Sequence, residues 1–435
     1  MLARIVVREY ARLTVSPVLY PSLDEAQISE QAFDWLCELA GLFRSSGAAL
    51  LQVDGRRWLK LDSFVGVLES PCGQVIEILP KHCEESGENA LTQARQLMFR
   101  MIESALNLNT RETTEAGLAL FDTDLSEWVM RRFLYSLDHL VKRGLRFDYL
   151  RIEEEQRYLC GQLDVVKQMR QPPGRQHFFN IRHDVFLPDR PENRLLKSAL
   201  DLICSRTQEP ENWRLAHELA GLLHDLPASR QIAEDFSLWK NDRLMAHYQS
   251  IKVWCELILH QQMPLAISGE WRGISMLFPM EKLFEKYVES ELQQVLPANA
   301  LKSQLASHYL CTHKKSGFFQ LKPDLALSLN GKKWILDTKW KLLNSSDQKN
   351  NYGLSQSDFY QFFAYGQKYL NGSGELVLIY PAWPKFNHTI PISTFYFNKD
   401  LSLRVLPFDL DDPLSAKKTI SQLTISAQYL PVKVA

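Results

Sequence analysis

An Asn-Gly dipeptide in the C-terminal half is the feature that most constrains how this chain folds. Asn330 and Gly331 separate two stretches of alternating apolar residues within residues 318–340. This is the strongest short-range signal for a two-residue type I′ β-hairpin, because both central residues of that turn need a positive φ. The turn also sets the strand register. Leu329 is predicted to pair with Lys332, and each further pair lies one residue farther from the turn on both strands.

Two aspartates fall opposite each other in this register. Asp324 is predicted to face Asp337, on the side of the hairpin away from the leucines that we expect to form the core. Directly opposed Cβ atoms are about 4.5–5.5 Å apart, and like charges at that separation are destabilising. A divalent cation would relieve the repulsion, and Mg²⁺ is typically held by one or two carboxylates plus substrate phosphates. Lys339 shares this face, where an ammonium can orient or deprotonate an attacking water or stabilise phosphate charge.

The spacing of these residues resembles the PD-(D/E)xK nuclease signature. Pro323-Asp324 is followed, after twelve residues, by Asp337-Thr338-Lys339. A hairpin with solvated polar residues on its outer face would show the same short pattern. The flanking elements are therefore needed to decide between the two interpretations.

The predicted helices on either side add candidate site residues. Gln361 and Tyr365 lie at i and i+4, on one face of a helix. Both can hydrogen-bond a phosphate or a metal-bound water, although ordinary amphipathicity gives the same spacing. Glu285, on the preceding helix, can reach the same metal edge. It is also one of three glutamates spaced by four, with Glu281 and Glu289, which is typical of a solvated face.

Composition limits the class of protein. The 435 residues are too many for one typical domain. A net charge of −1 argues against a generic basic nucleic-acid binder, so any contact with DNA must be local or shared with a partner. The seven cysteines are scattered without C-x-x-C spacing, which argues against a disulfide framework or a zinc site and fits the cytoplasm. No stretch is apolar enough to predict a membrane span. No nucleotide-binding glycine loop occurs, so the chain is not expected to hydrolyse nucleotides itself.

The order of predicted elements indicates a multi-domain α/β protein. Residues 1–115 are predicted to form an N-terminal α/β domain, with a strand over 3–8 and a helix over 26–44. Residues 269–435 read as helix, strand, hairpin, helix and strand. They predict a nuclease-like α/β domain with a three- or four-stranded mixed sheet, helices on its faces and edge strands in the tail.

The middle of the chain, residues 116–268, is predicted to be mostly helical with a β insertion. Strands are predicted around 149–153, 158–166 and 177–186, and the tip between the last two is basic and rich in proline and glycine. This pattern predicts a projecting β finger over about 158–186, with a plain surface loop as the alternative. Arg170 and Arg175 at its tip are candidate contacts for a partner.

Four motifs in the C-terminal part carry a family likeness. They are Phe284-Glu285-x-Tyr287-Val288, Lys322-Pro323-Asp324, Leu336-Asp337-Thr338-Lys339-Trp340-Lys341 and Asp358-x-Tyr360-Gln361-x-x-Ala364-Tyr365. Together they resemble McrC, the family of nuclease subunits of McrBC-type modification-dependent restriction systems. The middle segment around Gly161-Gln162-Leu163-Asp164-Val165 is similar as well. Gln162 departs from the family, which more often has a basic residue after the glycine.

The resemblance implies a PD-(D/E)xK endodeoxyribonuclease that acts with a AAA+ partner. Asp324 and Asp337 would hold Mg²⁺, or alternatively Mn²⁺, with Glu285 and the backbone carbonyl of Thr338 as further ligands. Lys339 would position the attacking water, while Gln361 and Tyr365 hold the scissile phosphate. The partner would be a McrB-like GTPase or ATPase hexamer that recognises 5-methylcytosine or another modified base, and the finger would stimulate it. Two alternatives stay open: a stand-alone repair or structure-specific nuclease, and a non-catalytic adaptor of a AAA+ motor.

Overall fold

The computed structural model describes residues 4–45, 51–54, 57–81, 88–106, 125–239, 243–260 and 276–428. The chain forms two compact units, one built from residues 1–122 together with 271–435 and the other from residues 123–270. Helices and sheets occur in both, which confirms the predicted α/β class. A search of the described residues finds no helix with the length and apolarity to cross a membrane.

The N-terminal part of the first unit contains two sheets. Its elements are β1 (Ile5–Arg8), β2 (Arg12–Thr14), β3 (Glu25–Gln27), α1 (Glu30–Ser45), β4 (Leu51–Asp54), β5 (Trp58–Leu61), β6 (Phe64–Glu69), β7 (Val75–Leu79) and α2 (Glu88–Ala105). One sheet has the order β3-β2-β5-β4. The first helix begins at Glu30 rather than 26, because residues 25–27 pair in parallel with β2.

The second unit is a helical bundle with an inserted sheet. Its elements are α3 (Leu125–Arg143), β8 (Asp148–Gln156), β9 (Gln162–Leu163), α4 (Val165–Met169), β10 (Phe179–Leu187), α5 (Pro191–Arg206), α6 (Pro210–Leu222), α7 (Ile232–Leu238) and α8 (Gln249–His260). Strands β8 and β10 pair antiparallel over nine residues, and β9 adds to β10. The predicted finger is therefore a β structure, and it starts at Asp148, ten residues before the predicted boundary of 158.

One strand prediction within the finger is wrong. Of residues 158–166, only Gln162 and Leu163 form a strand, and the two valines that follow begin helix α4. Asp164 explains the change, since its carboxylate accepts a hydrogen bond from the backbone N–H of Lys167 at 3.1 Å and caps the helix. The capping bond outweighs the β preference of the two valines.

The C-terminal part returns to the first unit. Its elements are β11 (Met276–Pro279), α9 (Met280–Val295), β12 (Leu301–Ser303), β13 (His308–His313), β14 (Ser316–Leu321), β15 (Leu325–Leu329), β16 (Lys332–Thr338), α10 (Gln356–Tyr369), β17 (Gly374–Pro381), β18 (Phe395–Tyr396), β19 (Leu401–Phe408) and α11 (Ser415–Gln428). Strand β11, inside the predicted C-terminal domain, pairs with β6 and completes an N-terminal sheet of order β1-β7-β6-β11.

The central sheet of this part has six strands, in the order β12-β15-β16-β17-β19-β18. The prediction of three or four strands was therefore too small. Strand β19 was predicted as an edge strand, but it lies between β17, to which it is parallel, and β18. Its nearly continuous apolar sequence suits this interior position, because such strands are buried on both faces.

The predicted Asn-Gly hairpin is present with the predicted register. Leu329 pairs with Lys332, and the ladder continues to Leu325 opposite Leu336. Asn330 and Gly331 have φ of 50° and 75°, as a type I′ turn requires. The hairpin starts later than the sequence pattern suggests, because residues 318–321 belong to β14 and pair with β13 in a separate two-stranded hairpin.

Both faces of the central sheet are covered. The leucine face of β15 and β16 is buried as predicted. The opposite face, which carries Asp337, is buried too, since Ile335 and Ala326 form a core there with Phe362 and Tyr365 of α10. The acid-bearing face is thus not a solvated surface.

Candidate active site

Two aspartates meet where the hairpin ladder ends. Asp337 is the penultimate residue of β16 and is only 1% exposed, and Asp324 directly precedes β15. The backbone N–H and the hydroxyl of Thr338 donate to Asp324 Oδ2 at 2.8 and 2.9 Å. The backbone N–H of Asp324 in turn donates to the carboxylate of Asp337. The two carboxyl groups are held together by the strand ends, next to the last ladder pair.

Both carboxyl groups are difficult to ionise. Burial, and after it the charge of Asp324, raise the pKa of Asp337 to about 7, although Lys339 opposes the shift. Burial also raises the pKa of Asp324, against the hydrogen bonds from Thr338, and Glu285 adds to the increase. The site therefore concentrates negative charge that a bound cation would stabilise.

Lys339 is the cation nearest to this pair. Its Nζ lies 2.6 Å from Asp337 Oδ2. Burial would lower the pKa of Lys339, but the attraction of Asp337, Asp324 and Asp358 outweighs burial, so its pKa is raised. The amine is therefore protonated at neutral pH. It is suited to hold a water molecule or a developing negative charge, and it is not suited to remove a proton.

The donor set fits a hard divalent ion. Asp337 Oδ2 is fully buried and lies against the Lys339 ammonium at 2.6 Å, so this oxygen already faces a positive charge. Carboxylate oxygens are the ligands that Mg²⁺ prefers, and it commonly uses only one or two together with substrate phosphates. Within the described part of the chain, no three His, Cys, Asp or Glu side chains cluster as a complete metal cage.

Glu285, one of the two further ligands implied by the resemblance, has other partners here. Glu285 is 5% exposed, and its carboxylate accepts hydrogen bonds from Lys282 Nζ at 3.0 Å and Gln304 Nε2 at 3.4 Å. Its charge reaches Asp324, but the three carboxylates do not form one cluster. The amide and hydroxyl of Thr338 are used to hold Asp324.

Helix α10 brings the predicted phosphate-binding pair to the site with unequal exposure. The Gln361 side chain is exposed, and its Nε2 donates to the Tyr365 hydroxyl at 2.6 Å. Tyr365 is 1% exposed and donates to the carbonyl of Lys322 at 3.0 Å. Burial and the charge of Asp337 raise the pKa of Tyr365. Tyr365 therefore links Gln361 to the chain before Asp324, and Gln361 carries the accessible amide.

A buried cluster from the N-terminal part supports the site and was not found from the sequence. Trp340 Nε1 donates to both carboxylate oxygens of Glu9, at 2.9 and 3.0 Å. Lys81 Nζ donates to the Trp340 carbonyl at 3.2 Å and lies over the Tyr10 ring. Burial raises the pKa of Glu9 and lowers that of Lys81. These contacts fix the residue that follows Lys339.

The finger tip, in the second unit, exposes both predicted contact arginines. Arg170 ends helix α4, and Arg175 lies 3.4 Å from Glu155 in a surface ion pair. Sequence reasoning missed the apolar side chains beside them. Exposed here are Tyr158, Leu159, Val165, Val166 and Met169. The two valines were predicted to lie in a strand, but they lie in helix α4 and are exposed.

Comparison with known proteins decides the family. The family model described as "McrBC 5-methylcytosine restriction system component" matches residues 59–381, most of the chain. The chain belongs to this McrBC family. The resemblance drawn from the four motifs is thereby confirmed. No curated protein matches the sequence.

The McrBC fold is also found among solved structures. A refined half-complex from a tetradecameric assembly of Thermococcus gammatolerans McrB AAA+ hexamers with bound McrC matches with a TM-score of 0.71 and 17% identity. That match covers 97% of this chain and 100% of the other. The cryo-EM structure of the Thermococcus gammatolerans McrBC complex matches with a TM-score of 0.51 and 19% identity, covering 67% and 88%. At these identities the likeness concerns the fold.

Proposed function

We propose that this McrBC family member is a Mg²⁺-dependent endodeoxyribonuclease that cuts DNA carrying 5-methylcytosine or another modified base. The observation that carries the proposal is the pair of carboxylates, buried Asp337 and half-buried Asp324, with Lys339 against Asp337. Burying these two carboxyl groups does not stabilise the fold, because burial disfavours their ionised form and so raises the pKa of both. A site that holds a metal and a phosphodiester explains why they lie together.

Each residue has a distinct task in the proposed reaction. Asp324 and Asp337 would hold Mg²⁺ or Mn²⁺, with Glu285 and the Thr338 carbonyl as proposed further ligands. The bound ion would supply Lewis acidity and a more acidic water. The Lys339 ammonium would hold the attacking water in line and stabilise charge on the phosphate.

Helix α10 would position the substrate. The exposed amide of Gln361 would donate to a non-bridging oxygen of the scissile phosphate. Tyr365 would fix the orientation of that amide through the 2.6 Å hydrogen bond. A rigid donor loses less entropy on binding than a free side chain, so the buried tyrosine makes the contact more productive.

The partner is proposed from the family and the finger. The similar structure from Thermococcus gammatolerans contains McrB AAA+ hexamers with bound McrC. We infer that this chain likewise works with a AAA+ GTPase or ATPase hexamer in the cytoplasm, which Arg170, Arg175 and the exposed apolar side chains of the finger contact. The sequence has no nucleotide-binding loop of its own, which agrees with such a division of tasks.

The test is cleavage of 5-methylcytosine-containing plasmid by the purified chain with its AAA+ partner and Mg²⁺. The Asp337→Asn variant is expected to lose at least about 100-fold in rate, because a metal-held carboxylate is replaced by a weak ligand, and to keep stimulation of the partner's nucleotide hydrolysis. The matched control is Glu218→Gln, at an exposed position on α6.

Other outcomes separate the alternatives. Cleavage by the chain alone with Mg²⁺ would favour a stand-alone nuclease. If titration calorimetry shows no metal binding, and if Asp337→Asn leaves DNA cleavage in the assay unchanged, the chain would have an adaptor role. Loss of both activities in a folded Asp337→Asn protein would contradict separate cutting and stimulating modules.

A further inference from the structure

A second hairpin lies directly before the proposed active site in the chain. Within the described residues, strands β13 and β14 pair with each other and join no other sheet. From residue 309 to 320 every side chain is exposed. A hairpin that buries neither face contributes little to a core, so its side chains are available for another molecule.

The charge of this hairpin is one-sided. The sequence contains no Asp or Glu between Glu291 and Asp324, although the whole chain has a net charge of −1. Lys314 and Lys315 form the tip, and no ion pair involving either is found among the described residues. The hairpin is therefore positively charged, although the chain as a whole is nearly neutral.

The tip also keeps its lysines at a conformational cost. Lys314 and Lys315 have φ of 47° and 67°, so both occupy the left-handed region of a type I′ turn. The neighbouring hairpin makes the same kind of turn with Asn330 and Gly331, which tolerate positive φ. Two lysines at positions that favour Asn-Gly indicate that their charge is used.

The base of the hairpin is fixed to the helix that carries Gln361. The Tyr369 hydroxyl lies 3.1 Å from the carbonyl oxygen of Leu305 and 2.7 Å from that of Leu321, sharing its proton between the two ends of the hairpin. His308 stacks on the Tyr369 ring at 4.5 Å. Beyond Leu321 the chain reaches Asp324 within three residues. The hairpin is therefore held in a set position next to the acids.

Exposed aromatic rings accompany the charge. Phe319 is 72% exposed and has a φ of 57°, which is rare for a bulky residue. Phe318 and Tyr309 are exposed as well. Aromatic and apolar side chains beside lysines are typical of surfaces that bind nucleic acids, where the rings pack on sugars or bases and the amines contact phosphates.

We propose that the β13–β14 hairpin binds duplex DNA flanking the phosphate that is cut. Lys314 and Lys315 contact phosphates, and Phe319 packs into the groove between them. This inference rests on the proposed nuclease function, because the DNA reaches the hairpin from the same site. It adds a binding element that sets affinity, separate from the residues that carry out hydrolysis.

The experiment measures anisotropy of a fluorescein-labelled 30-base-pair duplex with the full chain over a KCl series. All proteins carry Asp337→Asn, so cutting does not interfere. The test variant is Lys314→Asn with Lys315→Gly, which restores the preferred turn sequence and removes two charges. The control is Lys399→Asn with Lys417→Asn. It removes the same charge from exposed positions, and Lys399 lies in the β18–β19 turn at the opposite edge of the sheet.

The tip variant is expected to bind roughly tenfold or more weakly near 0.1 M KCl, and its slope of log K against log [KCl] should be smaller by about 1.8. The control should keep the parent slope. Phe319→Asn, which tolerates the same φ, should weaken binding without changing the slope. A tip variant with the parent affinity and slope would overturn the proposal, and so would a parent protein that shows no DNA binding at 50 mM KCl. Unchanged DNA binding with lost stimulation of the AAA+ partner would assign the hairpin to a protein contact instead.

These outcomes stay separate from those of the proposed function. The nuclease site is tested by DNA cleavage with protein that has Asp at position 337. If that protein cuts DNA normally while carrying the tip substitutions, the proposed nuclease site stands and the hairpin's role is rejected. If it binds DNA through the hairpin but does not cut it, the hairpin's role stands and the proposed nuclease site is rejected.

Discussion

The carboxyl group of Asp337 is buried in an environment that favours its neutral form. Its pKa is raised to about 7, while an exposed aspartate in the unfolded chain titrates near 3.9. Between these values the folded protein holds a proton that the unfolded chain has released. Folding stability must therefore fall as the pH rises from about 4 to about 7, and stay constant above that.

This fall in stability with rising pH leads to a prediction for the metal-free protein. Asp337→Asn has nothing to ionise, so it should be more stable than the parent at pH 8 and similar at pH 4.5. The gain at pH 8 should be about 2–4 kcal/mol, because each tenfold change in proton affinity corresponds to roughly 1.4 kcal/mol and the lost Lys339 ion pair reduces the total. Urea unfolding in EDTA at both pH values measures it, with Glu218→Gln as the reference. An Asn variant that is equally stable or less stable at pH 8 would contradict the burial argument.

The residues of the site differ in how far they can be predicted from the sequence. The approach of Asp324 to Asp337 follows from one turn and a period of two residues, because both are local properties of the chain. The cluster of Glu9, Lys81 and Trp340 follows from no local property. Its members are up to 331 residues apart in the chain, and only the folded first unit brings them together.

Single polar side chains contact the bases of the β13–β14 hairpin and of the finger. Tyr369 does so for the β13–β14 hairpin, and Asn193 does so for the finger. Asn193 is fully buried and donates to the carbonyls of Arg146 at 2.8 Å and Pro188 at 2.9 Å, one on each side of the finger. It also accepts a hydrogen bond from Tyr248. Asn193 therefore joins the two ends of the finger, together with the ion pair between Arg190 and Asp148.

Replacing that amide should loosen the finger. Asn193→Ala removes the N–H donor shared by the two carbonyls and the acceptor of the Tyr248 hydroxyl, which costs on the order of 2–3 kcal/mol. Asn193→Asp should be equally harmful, because the carbonyls need an N–H donor that a carboxylate lacks. Hydrogen exchange by mass spectrometry should show faster exchange in β8 and β10 than in α3. The exposed Gln176→Ala should leave exchange unchanged, and unaltered exchange in both Asn193 variants would show that the finger is held by other contacts.

Elements with strong local patterns were predicted well, and those decided by burial were not. The helices predicted to carry Glu285 and Gln361 are present as α9 and α10, because apolar periodicity is a local property of the chain. The position of strand β19 and the number of strands in the sheet depend on which apolar segments pair with each other. A short apolar segment has the same sequence pattern at the edge of a sheet and in its interior. The helix α4 was missed because a single capping aspartate outweighed two β-branched residues.

The first unit is closed by two segments that are distant in the chain. Strand β11 pairs antiparallel with β6, so residues 276–279 complete a sheet begun by residues 5–8. The sequence analysis placed a domain boundary at 269, but no pattern at either segment shows that they pair. The proposed nuclease site is therefore part of a unit whose stability also depends on the N-terminal sheet.

Gly66 is the position where this closure is most sensitive. Its φ is +135°, and a Cβ there would lie 1.9 Å from the carbonyl oxygen of Met276 in β11. Gly66→Ala must push β11 away, and we expect a loss of roughly 3 kcal/mol or more from the first unit. Gly221→Ala, on a helix of the second unit with open space around it, should cost nothing. Scanning calorimetry should show one transition lowered by Gly66→Ala while the transition of residues 123–270 stays in place, and DNA cleavage should be lost at the lowered temperature. A variant that shifts both transitions equally would show that the two units unfold together.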